Sequence, residues 1–163
     1  MSNFYIELLD RNRHNLQTFQ SGKPRLDAIL HDPTQLHEYG KTYVVVSKPG
    51  SRKILACFTL LPDPQDIVAE DEIAVEFTAV LLNLLAVDHH YQRRGIGKWI
   101  LSQLMRDMVQ VSESHPLDYL LVEPLDEEAR GYYQHLDMGF VTLSDGKLVL
   151  SVETMRQAVK SAT

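Results

Sequence analysis

A chain of 163 residues, 44% hydrophobic and 23% charged, has the size and balance of one globular domain and excludes collagen-like and disordered classes. Sixteen Lys and Arg against 22 Asp and Glu give a formal charge of −6, which disfavours a general grip on nucleic acid, although Arg93, Arg94 and Lys98 form a local basic run. The single cysteine, Cys57, excludes an intrachain disulfide, and the longest apolar run, Ala79 to Val87, is far short of the roughly 20 residues that cross a bilayer.

The start, Met1-Ser2-Asn3-Phe4-Tyr5, lacks the basic and then apolar pattern of a secretory signal, so one domain over residues 1–163 in the cytoplasm is expected. Leu26, Ile29 and Leu30 have helical spacing after Pro24, and Pro33 interrupts the continuation, which predicts two short helices over 24–40. Thr42–Val46 and Ile54–Leu60, joined through Lys48-Pro49-Gly50-Ser51, read as a hairpin. Asp63 to Asp71 is acidic and carries proline, as a surface loop does. Ile73 to Val87 reads as strand, its second part apolar enough to be central.

A polar, glycine-bearing stretch, Asp88 to Gly97, then opens an amphipathic helix with Ile100, Leu101, Leu104, Met105, Met108 and Val109 on one stripe. Tyr119–Val122 reads as a further strand, and Asp126 as the cap of a helix through Tyr132 and Tyr133. A hairpin of Phe140–Leu143 and Lys147–Leu150 turns through Ser144-Asp145-Gly146, and a short helix over Glu153–Val159 ends the pattern.

The chemistry concentrates where strand gives way to helix. Such a junction gathers backbone N–H groups that the helix cannot satisfy and adds the positive end of its dipole, so it attracts anions. Gly95 and Gly97 allow close backbone approach, and Arg93, Arg94 and Lys98 add full charges, so a pyrophosphate-bearing ligand is expected. Two familiar loops do not fit the letters. A nucleoside-triphosphate loop needs four residues between its glycines and Ser or Thr after its lysine, where Trp99 stands here. A dinucleotide loop needs a third glycine where Ile100 stands. His89 and His90 would point apart in an extended chain and no histidine pair has helical ligand spacing, so no metal is expected. Cys57, in an apolar strand, reads as a small core residue.

Leu85-Ala86-Val87-Asp88 through Tyr91-Gln92-Arg93-Arg94-Gly95-Ile96-Gly97 resembles the coenzyme A loop of the GNAT N-acetyltransferases, whose signature is Gln or Arg, two residues, Gly, one residue, Gly or Ala. The order of elements over most of residues 42–150 is also similar. The resemblance implies a mixed α/β fold with a mostly antiparallel central sheet whose fourth and fifth strands are parallel and splayed. It implies acetyl-CoA as acyl donor, held by the main chain of Leu85, Ala86 and Val87 and by Gln92, Arg93, Arg94, Gly95, Ile96, Gly97 and Lys98, with a primary amine attacking the thioester directly. Tyr133 matches the tyrosine that protonates the departing thiolate, with Tyr132 as the fallback. Five residues, Gln134 to Met138, separate Tyr133 from Gly139-Phe140, where the family usually has about three. A lysine amine, with a pKa near 10.4, needs more help to shed its proton than an α-amino group near 8. Glu76 and Glu123 are the candidate bases.

Phe19-Gln20-Ser21-Gly22, Leu26-Asp27, Lys41 to Val45 and Val152-Glu153-Thr154-Met155 are similar to segments of the GNAT toxins that acetylate aminoacyl-tRNA. The acidic charge and Leu84, at a place where those toxins carry Arg, depart from that pattern. The acceptor is thus a small-molecule amine, a peptide or an aminoacyl-tRNA. The toxin type brings an antitoxin partner, a homodimer is compatible with either, and a non-catalytic acyl-CoA sensor stands as the other alternative.

Overall fold

A computed structural model describes residues 3–62 and 78–161 and the backbone of 65–68 and 74–77. Among the described residues, nine strands and five α-helices follow in order: β1 (Tyr5–Leu8), α1 (Pro24–His31), α2 (Pro33–His37), β2 (Lys41–Val46), β3 (Ala56–Pro62), β4 (Gln65–Val68), β5 (Ala74–Phe77), β6 (Ala79–Val87), α3 (Ile96–Ser112), β7 (Tyr119–Val122), α4 (Glu127–His135), β8 (Val141–Thr142), β9 (Leu148–Ser151) and α5 (Val152–Ser161). One 3-10 turn, His89–Tyr91, lies between β6 and α3. The hydrogen-bonded strand order is β1-β2-β3-β6-β7-β9-β8, with β4 and β5 paired apart. β6 and β7, the fourth and fifth strands of the large sheet, are parallel, whereas β1–β2, β2–β3, β7–β9 and β8–β9 are antiparallel. This is the mixed, mostly antiparallel sheet expected from the sequence.

The chain divides into two compact units, Met1–Leu61 with Asn83–Trp99 and Pro62–Leu82 with Ile100–Thr163. In the first, the β2–β3 hairpin buries Val44, Val45, Val46, Ala56, Cys57 and Phe58, and Tyr43 stacks on Phe58 at 5.4 Å. Burial pushes the Cys57 thiol well above its ordinary range, with Asp27 adding a smaller effect in the same direction, so it stays an unreactive core thiol. Pro24 sits in the first turn of α1. Pro33 starts α2 behind the Asp32 carboxylate, which accepts from the N–H groups of Thr34 and Gln35. Leu26, Ile29, Leu30 and Leu36 are buried, a contribution of about 1.5–3 kcal/mol for each large side chain.

Gly40 enters β2 at φ +111°, where an added Cβ would lie 2.3 Å from the Leu60 carbonyl oxygen. Backbone cannot yield cheaply there. Gly40→Ala is therefore expected to cost about 2 kcal/mol or more, measured by urea denaturation.

In the second unit, every member of the predicted stripe from Ile100 to Val109 is buried on α3. β7 is flanked by β6 and β9 and buries Leu120, Leu121 and Val122. The Asp126 carboxylate caps α4 by accepting the Ala129 N–H at 2.8 Å. One sequence expectation changes. The acidic stretch read as a loop contains β4, which pairs antiparallel with β5; the rest of Asp63–Asp71 and Ile73 lie outside the described residues. The strand-like stretch Ile73–Val87 divides at Thr78 into β5 and the central β6, and the Thr78 carbonyl accepts the Asp118 N–H at 2.8 Å at the start of β7.

Candidate active site: a coenzyme A loop and a buried tyrosine

The β6–β7 ladder runs from Ala79↔Tyr119 to Leu82↔Val122, yet β6 continues five residues further to Val87. Leu85, Ala86 and Val87 therefore lie past the end of that register. Leu84, the departure from the toxin pattern, is buried, and its N–H donates to the hydroxyl of fully buried Thr59 at 3.0 Å.

The loop that follows is built around Asp88, which is 6% exposed. Its N–H donates to the Leu55 carbonyl at 2.9 Å. Its carboxylate accepts the N–H of Gln20 at 3.2 Å and that of His90 at 3.0 Å, with His90 Nδ1 also at 3.0 Å. Burial raises the carboxyl's pKa, but the accepted N–H groups and the histidines outweigh it and hold Asp88 below the usual carboxylate range. The Gln92 side-chain amide donates to the Val87 carbonyl at 3.0 Å and to the Ser21 carbonyl at 2.6 Å. Gln92 therefore closes the loop on itself, and Val87 offers a ligand less than expected because its carbonyl is engaged.

The segment Phe19-Gln20-Ser21-Gly22, noticed in the sequence only through resemblance, is the other wall of this loop. Gln20 takes the Asp88 carboxylate with its N–H and the His89 N–H with its carbonyl. Ser21 is buried, and both its N–H and its hydroxyl donate to Asp27. Gly22 lies 3.9 Å from the Cβ of His89, measured from the position its own Cβ would take.

Arg93 adopts φ +63° and Gly95 φ +80°, so the chain turns twice through the left-handed region before α3 begins at Ile96. A Cβ at Gly95 would meet nothing within 4 Å, so the inner face of the turn is open. Gln92, Arg93, Arg94, Gly95 and Lys98 are exposed, whereas Ile96 and Gly97 are buried. Arg94 lies over the Tyr91 ring at 5.3 Å and Lys53 over the same ring at 5.2 Å. The Tyr91 hydroxyl beside Lys53 raises that ammonium's pKa. The place of Lys53 beside Tyr91 was not legible, because 38 positions separate the two and no local motif marks it.

His89 and His90 do not point apart. In the 3-10 turn their rings lie 3.9 Å from one another, and Asp88, His89 and His90 bring ligand atoms within 4.8 Å. His89 Nδ1 lies 3.1 Å from the Gln20 carbonyl oxygen, and His90 Nδ1 3.0 Å from the Asp88 carboxylate.

In the second unit, Tyr133 is 5% exposed, and its ring packs edge-on against Tyr132 at 5.5 Å and Phe140 at 5.8 Å. Burial, with a smaller effect from Tyr132, pushes its phenol far above the ordinary range, so it remains protonated. Tyr132 is 41% exposed and burial raises it too. Of the five residues between Tyr133 and Gly139, two extend the helix, Leu136 caps it, Asp137 turns left-handed at φ +53° and Met138 leads into Gly139. Arg130 ties α4 to the β8–β9 turn by donating to the Gly146 carbonyl. Glu123 follows β7, exposed, with its N–H on the Leu82 carbonyl at 3.4 Å. Glu76 stands opposite Asp66 on the small β4–β5 sheet, not on a central strand, and its side chain lies outside the described residues.

No helix among the described residues is long and apolar enough to cross a membrane. Comparison with known proteins agrees with the loop. The family model of the acetyltransferase (GNAT) family matches residues 8–140. A tRNA-acetylating toxin of Mycobacterium tuberculosis (strain ATCC 25618 / H37Rv) is 34% identical over 164 residues, covering 89% of this chain and 90% of that protein. Among solved structures, a Tyr-to-Phe mutant of the toxin AtaT bound to the C-terminus of the antitoxin AtaR and acetyl-CoA has a TM-score of 0.80 at 22% identity, over 97% of this chain and 99% of that one. AtaT complexed with acetyl-methionyl-tRNAfMet has a TM-score of 0.78 at 20% identity, over 96% and 99%. At those identities the two structures speak to the fold. A junction of strand, glycine turn and helix that departs from both nucleotide loops, a family match over most of the chain and a relative of near-equal length establish that this chain belongs to the GNAT acetyltransferase family and is an N-acetyltransferase.

Proposed function

We propose that the chain transfers an acetyl group from acetyl-CoA to the α-amino group of an aminoacyl-tRNA, as the toxin type of the family does, and that an antitoxin restrains it. The observation that carries this reading is the 34% identity to a tRNA-acetylating toxin over nine-tenths of both chains. The build of the loop supports it: the toxin-like segment 19–22 is part of the loop's own hydrogen-bond network.

The open turn at Gly95 fits a diphosphate, which needs close backbone approach. Arg93, Arg94, Gly95, Ile96, Gly97 and Lys98 would hold that group, and the main chain of Leu85, Ala86 and Val87 the arm leading to the thioester. Bound acetyl-CoA supplies an activated acyl group. Tyr133, kept protonated, would give its proton to the departing thiolate. An α-amino group loses its proton more readily than a lysine, which lightens the demand on Glu123 or Glu76 as base. The main-chain N–H groups of late β6 would stabilise charge on the carbonyl oxygen as the amine attacks.

Expression of the chain should arrest translation, and nuclease digestion of tRNA from those cells should release N-acetylated aminoacyl-adenosine. Normal growth with unmodified charged tRNA, at high levels of the folded chain, would contradict the acceptor assignment. Gly95→Val adds a branched side chain at φ +80°, at a cost of about 1–2 kcal/mol, and fills the open turn. The affinity for acetyl-CoA should fall at least about tenfold in calorimetry.

A further inference from the structure

The charge of −6 conceals a separation of charge along the fold. The unit that carries the coenzyme A loop holds eleven Lys and Arg against six Asp and Glu, a formal +5; the other unit holds five against sixteen, a formal −11. Five of the six acids of the basic unit are turned to structural use. Glu7 takes Arg13, His14 and the Gly50 N–H, Asp10 the Asn12 N–H, Asp27 Ser21, Asp32 the start of α2, and Asp88 Gln20 and His90. Arg11, Arg52, Lys53, Arg93 and Arg94 are all exposed.

These bases are also neighbours. The Arg52 carbonyl accepts the Asn15 N–H at 3.0 Å, which ties the 10–15 turn that carries Arg11 to the segment of Arg52 and Lys53. Lys53 follows in sequence and covers one side of the Tyr91 ring that Arg94 also contacts. The strip thus runs from Arg11 through Arg52 and Lys53 to the mouth of the coenzyme A loop. A diphosphate needs only the loop end of such a strip, whereas a polyanion offers phosphates to its further cations as well.

We propose that this strip is the docking surface for the phosphate backbone of the tRNA acceptor, with Arg11, Arg52 and Lys53 gripping the stem while Arg93 and Arg94 serve the coenzyme. The inference rests on the acceptor assignment above. Phosphate contacts of this kind position a substrate without reading its sequence, so the strip selects RNA from small amines rather than one tRNA from another.

The test uses the full chain with Arg11→Glu, Arg52→Glu and Lys53→Glu together, and with the same three positions as Gln, each checked for an unchanged thermal midpoint. Acetylation of charged tRNA should lose at least about tenfold in kcat/KM for tRNA, and the slope of log kcat/KM against log salt should flatten by about two to three. The KM for acetyl-CoA should stay within about twofold. Binding of uncharged tRNA, read by fluorescence anisotropy, needs no turnover and should weaken in parallel. Unchanged tRNA binding and salt slope in the Glu variant overturn the docking surface while leaving the acceptor assignment intact. A raised KM for acetyl-CoA with tRNA binding unaltered also overturns it, and gives the strip to the coenzyme. Wild-type chain that binds tRNA through the strip yet acetylates none overturns the acceptor assignment alone.

Discussion

Tyr133→Phe is expected to lower kcat for acetyl transfer by about 100-fold or more and to leave the affinity for acetyl-CoA within about twofold. Only the hydroxyl is lost. The ring's edge-on packing against Tyr132 and Phe140 is kept, so stability changes little. The size follows from the usual contribution of a positioned proton donor, about 10²–10⁴. Because burial holds the wild-type phenol protonated well into the alkaline range, the rate should not fall through ionisation of Tyr133 below about pH 10. Steady-state kinetics paired with calorimetry check both halves. A loss of similar size in Tyr132→Phe instead would move the acid to Tyr132.

Asp88→Ala acts on the other side of the chemistry, through the loop's frame. It strands the N–H groups of Gln20 and His90 and frees segment 19–22 from the loop. The two lost hydrogen bonds are part-buried and end on a charged acceptor, each worth about 1.5–3 kcal/mol before water replaces it, so a net loss of about 1–3 kcal/mol is expected by urea denaturation, with the KM for acetyl-CoA raised at least about tenfold. Asp88→Asn keeps one acceptor oxygen and should fall between. A carboxyl held below its ordinary value stabilises the fold above about pH 4, and that contribution is lost as pH falls through the lowered folded-state value. Wild type should therefore lose more stability than Asp88→Ala on acidification from pH 5 to pH 3.

Much of this was legible because local rules and the global fold agree. The alternation of apolar residues on α3, Pro24 and Pro33 at helix starts, Asp126 as a cap and Asp145-Gly146 in a turn each state their structure within a few residues. The Gln92 to Gly97 spacing marked the glycine turn that opens α3 for the same reason. What was not legible is long-range. Thr78, between β5 and β6, pairs with Asp118, forty positions away, and an apolar window cannot register that contact. His89 and His90 face one another because Asp88 caps a tight turn, where period-two reasoning set them apart. Net charge is also silent on placement: the −6 of the whole chain divides into a formal +5 and −11 over the two units.

The most direct test of the account is transfer from labelled acetyl-CoA to charged tRNA, run beside uncharged tRNA, polyamines, free amino acids and N-terminal peptides. The account predicts label on the aminoacyl group of charged tRNA alone, released with the amino acid by mild alkali and absent with Tyr133→Phe. Label on a polyamine or peptide, with charged tRNA untouched by the same active preparation, would contradict it.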